Sequence, residues 1–572
     1  MLVSQGDFGK DGGKTISKAI ENVIDAGVIP VINENDAVNS GGAKFFHDND
    51  DLASQLGTLL GAEVLVMLSN VDGVIDKDAN AVIPVVYDAD AALENEYGTC
   101  NGLGGLKAKI KAAKAFVQNG GKAAIIASGR TAGGGLPISF RDGATCTIFP
   151  SKELTAELLA GQVKSAKSTS KEIARIVAKK GGSAIATALR GIALSLEKNA
   201  EKIANANGED AKKGEEKISK AMLHRLSFDK AAVEKTAEKI RKLAAFPDPL
   251  AFSEKMTGTN GKISVTKKAR PLGLVGIIFE SRPDVTAEAA AVALKAGNAV
   301  VLKGGKEAAN TNKAIVNAIS EGLQLSGFPK DAVELLEGPS DIAFEAMVGA
   351  EGLIDLLIAR GGAGLISAVK GKSRVPFIES GIGSNAIYLD ESAKIGDTIP
   401  VVINAKMQKP VACNSICKLL VHEKIAQAAL PRIAQALEQK GAEIVGCKIA
   451  AKIIGCARVI DADWTEDFSK NKIAVKVVSS SDEAIDFINA NGSHHSDGII
   501  TESRAEAEKF KAGVESAAVY VNCSTRFTDG GEFGLGGELG ISTQKLHACG
   551  PIGPEQLVTH YYEVVGNYSA RG

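Results

Sequence analysis

The chain has 572 residues, of which 45% are hydrophobic and 23% are charged, and its formal net charge at pH 7 is −2. This length suits several domains, and the composition is that of a globular protein with ample core material. The balanced charge gives no general attraction to nucleic acids or anionic membranes, and the apolar runs are too short to span a bilayer. The eight cysteines include no C-x-x-C pair, which predicts reduced thiols in a cytoplasmic compartment and no zinc site.

Residues 1–150 alternate segments typical of strands and helices. Residues 28–33, Val64–Ser69 and 122–127 are short apolar runs, and residues 107–119 have helical periodicity. This alternation predicts a parallel sheet with helices on its faces. Ligands of such sheets bind at the carboxyl ends of the strands, so we expect the polar residues that end the first two runs to line a site.

The rest of the chain is predicted to form two further α/β regions. Residues 151–170 are rich in Ser, Lys and Thr and are interpreted as a linker. Residues 171–375 and 485–545 are expected to form a cofactor-binding and oligomerisation region. Residues 376–484 are expected to form a catalytic domain, and 546–572 a C-terminal tail.

Cys413 is the strongest candidate nucleophile. It follows Pro410 by three residues, at the start of an apolar run that is interpreted as helical. A thiol at a helix N-terminus would face unpaired N–H groups and the positive end of the dipole, which favour the thiolate. Many cysteines are instead small buried hydrophobes, an interpretation that suits Cys417 better.

Lys303 ends a predicted strand and precedes Gly304 and Gly305. A lysine there could hold a ribose hydroxyl or a phosphate, while the glycines let a nucleotide approach the backbone. Arg360 follows a similar strand and also precedes two glycines. Neither segment is a G-x-G-x-x-G motif, so a simple turn and a surface ion pair remain alternatives.

Five ordered motifs lie in the second part of the chain: FESRPDVT at 279–286, KAGNAVVLKGGKEA at 295–308, NAKMQKPVACNS at 404–415, GSHHSDGIITE at 492–502 and NCSTRFTDGGEFGLGGELGISTQKLHACGP at 522–551. With the segments between them, residues 165–572 resemble γ-glutamyl phosphate reductases of the aldehyde dehydrogenase superfamily. The resemblance implies that Cys413 attacks γ-glutamyl phosphate, expels phosphate and forms a thioester. Hydride from NADPH would then give glutamate 5-semialdehyde, a precursor of proline.

The resemblance also implies roles for other residues. The backbone N–H of Cys413 and the side-chain amide of Asn404 would stabilise the oxyanion. Lys303, Gly304, Gly305 and Glu466 would contact the cofactor, Glu466 at the nicotinamide ribose. A solvated acid remains the alternative for Glu466.

Arg282 and Arg526 are candidates for binding the substrate carboxylate or phosphate, since a guanidinium group binds both in a bidentate manner. A structural ion pair is the alternative for each. Two departures from the family pattern are Asn385-Ala386, where a Cys-His pair is common, and Cys549, which replaces an arginine. The second change would weaken activity or assembly if that arginine contacts phosphate or another subunit.

The first part of the chain carries VIPVINENDAV at 28–38, FFHDNDDLASQLGTLLGAEVLVMLSNVDGV at 45–74 and NGLGGLKAKIKAAKAFVQNGGKAAIIASG at 101–129. These motifs resemble glutamate 5-kinases of the amino acid kinase family. The resemblance implies ATP and Mg²⁺ as cofactors and Lys109 as the catalytic, phosphate-facing lysine. The other implied contacts are Asp36 and Asn49 to glutamate, and Ser69, Asn70, Gly102, Gly104 and Gly105 to the nucleotide.

The order of kinase and reductase resembles that of fused Δ1-pyrroline-5-carboxylate synthases. The resemblance to the kinase begins only with its C-terminal half, without the glycine-rich turn that cradles ATP. The family's Thr-Asp at the nucleotide site is Ser69-Asn70 here, which removes a carboxylate. We therefore expect an impaired kinase, and a sheet without its first strands should expose edges and core.

The predicted fold class is α/β, with a partial amino acid kinase domain before a reductase that has cofactor-binding and catalytic domains. The expected partners are glutamate, γ-glutamyl phosphate and further copies of the chain, in homo-oligomers that could include filaments. Neither nucleic acid, membrane nor a metal site is expected. An inactive assembly scaffold and an aldehyde dehydrogenase that oxidises a semialdehyde are the alternatives. The second would need a general base to release the thioester, and Glu379 is interpreted as structural.

Overall fold

The computed structural model describes residues 1–8, 12–35, 48–76, 81–94, 105–129, 146–215, 218–256, 261–381, 383–459, 464, 468 and 471–571. These residues divide into two compact units. The first contains Met1–Gly161 with Glu337–Ala346, and the second contains Gln162–Leu336 with Met347–Gly572.

The first unit is built around a small α/β sheet. Its elements are β1 (Leu2–Val3), α1 (Gly12–Asp25), β2 (Asn33–Glu34), α2 (Asn49–Leu59), β3 (Val64–Ser69), β4 (Ile75–Asp76), β5 (Ala81–Val82), α3 (Ala89–Glu94), α4 (Gly105–Gln118), β6 (Ala123–Ser128) and β7 (Cys146–Pro150). The strand order is β3–β6–β7, in which β3 and β6 are parallel and β7 is antiparallel to β6. The predicted strand at 64–69 and the predicted helix near 107–119 are thus confirmed.

Two features of the first unit differ from a complete α/β sheet. The predicted strand at 28–33 is wrong, because only Asn33 and Glu34 pair with β1, and the side chains of Val28, Ile29 and Val31 are exposed. In β3, the alternate residues Val64, Val66 and Leu68 are 47%, 38% and 52% exposed. A parallel strand is normally covered on both faces, so one face of β3 is uncovered within this unit.

The remaining elements as far as the five-stranded sheet are α5 (Lys152–Lys180), α6 (Gly182–Lys198), α7 (Ala200–Gly214), α8 (Lys220–Leu226), α9 (Lys230–Ala245), β8 (Ser253–Met256), β9 (Ile263–Pro271), β10 (Leu274–Phe279), α10 (Pro283–Lys295), β11 (Ala299–Lys303), α11 (Ala309–Leu325), β12 (Val333–Leu335), α12 (Ser340–Val348), β13 (Leu356–Arg360), α13 (Ala363–Lys372) and β14 (Phe377–Glu379). The segment 151–170, predicted as a linker, is the first part of the helix α5. Leu159, Val163, Ala166, Ser170 and Ile173 are buried at spacings of three and four, which is the apolar stripe of a packed helix.

The five-stranded sheet is entirely parallel, with the order β12–β11–β10–β13–β14. Its central strand, β10, is buried on both faces, as are β11 and most of β13. Parallel strands place their carboxyl ends at one edge. Lys303 at the end of β11 pairs with Ile278, and Arg360 at the end of β13 pairs with Phe279, so the two cations flank the end of β10.

The seven-stranded sheet carries the Cys413 region. Its elements are β15 (Asn385–Leu389), α14 (Ile395–Met407), β16 (Ile416–His422), α15 (Glu423–Glu438), β17 (Glu443–Gly446), α16 (Lys448–Ile454), β18 (Ala457–Arg458), β19 (Lys472–Val478), α17 (Ser481–Asn491), β20 (Ser496–Ile500), α18 (Arg504–Gly513) and β21 (Ala518–Val521). The order is β18–β17–β19–β16–β15–β20–β21, all parallel. Residues 485–545 were predicted to belong to the cofactor-binding region. In the structure, however, β20 pairs with β15 and β21 extends the same seven-stranded sheet.

The chain ends in β22 (Ile541–Ser542), β23 (Gly550–Pro551) and β24 (Val558–Gly566). β24 pairs along its full length with β9, and β9 pairs with β8 in a three-stranded antiparallel sheet. The predicted tail thus contributes a nine-residue strand to regular structure. Of the described helices, none has the length and apolar character needed to cross a bilayer.

Candidate active site

Cys413 lies in an exposed turn between α14 and β16. The predicted helix start is wrong, because the apolar run after the turn is the strand β16. That run pairs with β15 on one side and β19 on the other and is buried at all seven positions. Such continuous burial is typical of a central parallel strand. A helix dipole therefore does not act on this thiol from the following segment.

Hydrogen bonds from neighbouring segments fix the Cys413 turn. The Asn385 side-chain amide donates to the carbonyl oxygens of Cys413 at 2.7 Å and Ser415 at 2.8 Å. A Cβ atom on Gly383 would lie 1.5 Å from the Cys413 carbonyl oxygen, so only glycine fits there. Asn385, which the sequence marked as a departure from the family, is thus a main support of the turn.

The next residue of the turn, Asn414, connects it to the segment after β21. Its side-chain amide donates to the carbonyl oxygens of Arg526 at 3.2 Å and Thr528 at 2.8 Å. The hydroxyl of Thr525 donates in return to the Asn414 carbonyl oxygen at 2.7 Å. These bonds hold Arg526 beside the nucleophile.

Three charged side chains act on the Cys413 thiol. The pKa of Cys413 is raised to about 11, first because surrounding protein reduces the hydration of a thiolate and then because Glu538 repels it. Arg360 and Arg526 oppose the shift by attracting the thiolate. Solvent reaches the residue and moderates the loss of hydration. The expectation of a thiolate favoured in the free protein is therefore not met.

The carboxyl group of Glu538 has a pKa close to neutral pH. Burial and the negative charge of Asp529 raise its pKa to about 7, while Arg360 and a hydrogen bond from the Gly530 N–H, 2.9 Å long, lower it. A group with this pKa can accept and return a proton near neutral pH. Arg360 also has a buried Nη1 atom that donates to no acceptor among the described residues, which fits it for an anionic ligand.

The carboxyl edge of the five-stranded sheet has the features of a nucleotide site. Lys303 is 9% exposed, and burial lowers the pKa of its amine while Glu307 and Glu280 oppose that shift. The Ser281 hydroxyl and one Glu307 carboxylate oxygen are buried and lack hydrogen-bond partners in the described part of the chain. Such atoms could bind the hydroxyl groups of a ribose.

Gly304 and Gly305 let another group come close at this edge. A Cβ atom on Gly304 would lie 2.2 Å from the Asn312 amide nitrogen, and one on Gly305 would lie 2.3 Å from a Glu307 carboxylate oxygen. Side chains at these positions would clash with Asn312 and Glu307, so glycine is required for the packing of this edge. The buried Lys303 amine, and the Ser281 and Glu307 oxygens that lack partners among the described residues, fit a nucleotide cofactor at the same edge. No group of three or more metal-ligating side chains occurs within the described ranges.

The structure describes three further residues that the sequence predicted for the reductase, Arg282, Asn404 and Arg526. Arg282 precedes α10, is exposed and forms an ion pair with Asp284 at 3.0 Å. Asn404 is exposed on α14, and its carbonyl oxygen accepts the N–H of Gln408 at 3.3 Å. Arg526 is the predicted arginine that lies beside the nucleophile, and its Nε donates to Gln408 at 3.0 Å. Glu466 lies outside the described residues.

Two further groups have structural partners. A Glu379 carboxylate oxygen lies 2.8 Å from the Lys370 amine, and the backbone N–H of Glu379 donates to Gln544 at 2.9 Å. His495 is fully buried beside the Ser496 hydroxyl at 2.7 Å, and burial lowers its pKa to about 4. Neither geometry suggests a base that would release a thioester.

In the first unit, the predicted catalytic lysine has a carboxylate partner. The Lys109 amine lies 2.8 and 2.9 Å from the two carboxylate oxygens of Asp50. The Ser69 hydroxyl donates to the Asn70 side chain at 3.4 Å. Asn49 is the first residue of α2 and Gly105 the first of α4, whereas Asp36, Gly102 and Gly104 lie outside the described residues.

Sequence reasoning did not place Arg360 and Glu538 at the nucleophile. Arg360 was interpreted only as part of a possible nucleotide turn, and Glu538 was one of many acidic residues. Cys413, Arg360 and Glu538 are well separated in sequence, so no local pattern indicates that they act on one another. The sequence feature that could have indicated a role for Glu538 was its position inside the longest of the five motifs, at 522–551.

Known proteins resemble both parts of the chain. The amino acid kinase family model matches residues 3–128, and the aldehyde dehydrogenase family model matches residues 147–444. A γ-glutamyl phosphate reductase of Moorella thermoacetica is 43% identical over 403 residues, which cover 70% of this chain and 96% of that protein. One from Carboxydothermus hydrogenoformans is 44% identical over 413 residues, 72% and 98% of the two chains.

Solved structures agree with these matches. The crystal structure of γ-glutamyl phosphate reductase from Thermotoga maritima superposes with a TM-score of 0.69 at 37% identity, covering 73% of this chain and 100% of that one. An acetylating aldehyde dehydrogenase from Geobacillus thermoglucosidasius, at 18% identity and a TM-score of 0.54 over 74% and 99% of the chains, shares the fold. The chain therefore belongs to the γ-glutamyl phosphate reductase family of the aldehyde dehydrogenases, preceded by an amino acid kinase region in the order of Δ1-pyrroline-5-carboxylate synthases.

Proposed function

We propose that the chain reduces γ-glutamyl phosphate to glutamate 5-semialdehyde with NADPH, through a thioester on Cys413. The observation that carries this proposal is the exposed Cys413 thiol with Arg360, Arg526 and Glu538 around it. Two guanidinium groups suit an acyl phosphate, whose phosphoryl oxygens are anionic and accept bidentate hydrogen bonds. The thiol suits nucleophilic attack on its acyl carbon.

Acylation requires that the thiol lose its proton. Glu538, with a pKa of about 7, is the neighbouring carboxyl group that can take this proton as Sγ attacks the acyl carbon. Phosphate then leaves with the electron pair of its bond to that carbon, and Arg360 and Arg526 stabilise its charge. The backbone N–H of Cys413 and the amide of Asn404 are the proposed donors to the oxyanion.

Reduction follows on the thioester. NADPH supplies the hydride when bound, and Lys303, Gly304, Gly305 and Glu466 are the residues proposed to hold it. Collapse of the hemithioacetal releases the aldehyde and returns the thiolate, which takes back the proton from Glu538. No water attacks in this sequence, which agrees with the ion pair between Glu379 and Lys370.

The reverse reaction tests this proposal. Glutamate 5-semialdehyde should reduce NADP⁺ only when phosphate is present, and Cys413→Ala should abolish the reaction. Cys549→Ala is a matched control, because Cys549 is also exposed and has no role in the proposal. Formation of glutamate without phosphate would identify an oxidising aldehyde dehydrogenase instead.

The kinase part is proposed to be impaired in ATP-dependent phosphorylation of glutamate. The Lys109 amine is held by Asp50, and Asn70 supplies no carboxylate where the family has an aspartate. Lys109 would have to leave Asp50 to neutralise charge on a transferred phosphoryl group. The chain with glutamate, ATP, Mg²⁺ and hydroxylamine should form no γ-glutamyl hydroxamate, and a clear signal would show an intact kinase.

We also propose a cytoplasmic homo-oligomer, with filaments as one form of assembly. The three-stranded sheet supports association, because Tyr562 and Val564, which are two positions apart on β24 and so share one face, are 58% and 55% exposed. Exposed apolar residues in such a group mark a surface that another chain can cover. A monomeric mass by light scattering at micromolar concentration would contradict this proposal.

A further inference from the structure

Two buried lysines connect the Cys413 turn with a segment that follows α16 and β18. Lys406 and Lys418 are both fully buried, seven residues before and five residues after Cys413. A buried ammonium group is costly for a protein unless hydrogen bonds satisfy it. The acceptors of both groups therefore show what each lysine holds in place.

Each ammonium group donates to the same short segment. The Lys406 amine donates to the carbonyl oxygen of Phe468 at 3.1 Å, and the Lys418 amine donates to that of Trp464 at 3.1 Å. Phe468 is 2% exposed and packs with Cys417, while the Trp464 ring meets the edge of Phe487 with centroids 5.1 Å apart. The carbonyl groups of Trp464 and Phe468 are thus each held by a buried lysine, and in the sequence Glu466 lies between these two residues.

The same two lysines also belong to the support of the nucleophile. The hydroxyl of Ser415, two residues after Cys413, donates to the Lys406 carbonyl oxygen at 3.2 Å. The Lys418 amine donates to the hydroxyl of Ser384 at 2.7 Å, and Ser384 follows the glycine that contacts the Cys413 carbonyl. Lys406 is therefore bonded directly to the turn, and Lys418 is bonded to the residue that follows Gly383, at the place where Gly383 packs against the turn.

We propose that Lys406 and Lys418 are positioning residues that hold Trp464 and Phe468 close to the Cys413 turn, so that cofactor and acyl group meet in one geometry. The inference rests on the proposed function, because that function assigns Glu466, which lies between Trp464 and Phe468 in the sequence, to the nicotinamide nucleotide. Neither lysine needs to touch substrate or cofactor. Their effect is transmitted through the two main-chain carbonyl groups that they hold.

The test replaces each lysine in the full chain, as Lys406→Met and Lys418→Met, which keep most of the volume and remove the donor. Loss of a charged hydrogen bond should raise the KM for NADPH by about tenfold, with a smaller change in the KM for γ-glutamyl phosphate. Trp464 is the one tryptophan of the sequence, so its fluorescence reports directly on one of the two residues that the lysines hold. We expect its emission to move to longer wavelength in both variants.

Lys295→Met is the matched control. Lys295 is also buried, at 4% exposure, and its amine donates to the carbonyl oxygens of Ala244 at 3.3 Å and Phe246 at 2.5 Å. This variant should leave both the Trp464 emission and the KM for NADPH unchanged. Since Lys418 also compensates the buried charge of Asp497, Lys418→Met is repeated with Asp497→Asn if it unfolds.

The outcomes separate this inference from the proposed function. A wild-type KM and emission in Lys406→Met would overturn the positioning role, even if the wild-type chain is an active reductase. Equal changes in Lys295→Met would also overturn it, because they would show a general effect of removing a buried lysine. If the wild-type chain has no reductase activity, the proposed function is refuted. A shifted Trp464 emission in the two lysine variants would still show that the lysines hold Trp464 and Phe468 in place.

Discussion

The reactivity of Cys413 toward iodoacetamide tests the electrostatic description of the active site. Its pKa of about 11 leaves about one thiolate in a thousand at pH 8, against about one in four for an ordinary cysteine thiol with a pKa near 8.5. Alkylation of Cys413 at pH 8 should therefore be about two orders of magnitude slower than that of an ordinary thiol. Its rate should rise about tenfold with each pH unit up to about pH 10.

Substitution of the neighbouring charges should move this rate in opposite directions. Glu538 raises the Cys413 pKa and Arg526 lowers it, so Glu538→Gln should speed alkylation at pH 8 and Arg526→Gln should slow it. Because the Glu538 pKa is about 7, its carboxyl group is protonated at pH 5. Glu538→Gln should therefore have little effect at that pH.

Peptide mapping by mass spectrometry measures the extent of alkylation at each cysteine separately. Cys549, which is exposed, serves as the internal reference in the same sample. A Cys413 rate that already levels off near pH 8 would refute the raised pKa. An unchanged rate in Glu538→Gln would show that Glu538 does not act on the thiol.

Further predictions concern the turn, a buried histidine and the kinase. Asn385→Ala removes two hydrogen bonds to the turn and should cost about 1–3 kcal/mol of unfolding free energy in denaturant titration, with a loss of kcat. Gly383→Ala should abolish most activity by its clash with the turn, whereas Gly371→Ala, where a Cβ meets nothing within 4 Å, should not. His495 has a folded pKa of about 4 against 6.5, so the unfolded state binds the extra proton between these values. Unfolding free energy should fall by up to roughly 3 kcal/mol as pH drops from about 6.5 to 4, and His495→Gln should flatten that profile. The hydroxamate assay should remain at background, because Lys109 is paired with Asp50.

The sequence predicted long periodic elements well and short apolar runs less well. Val64–Ser69 and the helix near 107–119 followed from their patterns, because one face of each is buried against a local partner. The run Ile416–His422 was misinterpreted as helical since a strand buried on both faces has no alternation, and only its pairing with β15 and β19 identifies it. The segment 151–170 was misinterpreted because its polar residues obscure a stripe of single buried positions.

The sequence predicted those residues of the candidate site whose chemistry a motif indicates. Cys413 and Lys303 stand in motifs that indicate their chemistry. Arg360 and Glu538 became visible only when folding brought the end of β13 and the segment after β21 toward the Cys413 turn. Long-range electrostatic effects of this kind depend on distances that no local pattern encodes.

Capture of the acyl-enzyme tests directly whether Cys413 forms a thioester with the γ-glutamyl group. The chain is mixed with γ-glutamyl phosphate, supplied by a separate active glutamate 5-kinase with glutamate and ATP, and is analysed by peptide mass spectrometry without NADPH. We expect a γ-glutamyl adduct on the Cys413 peptide that disappears when NADPH is added, with semialdehyde released. An unmodified Cys413 peptide, together with turnover of NADPH, would contradict a thioester on this cysteine.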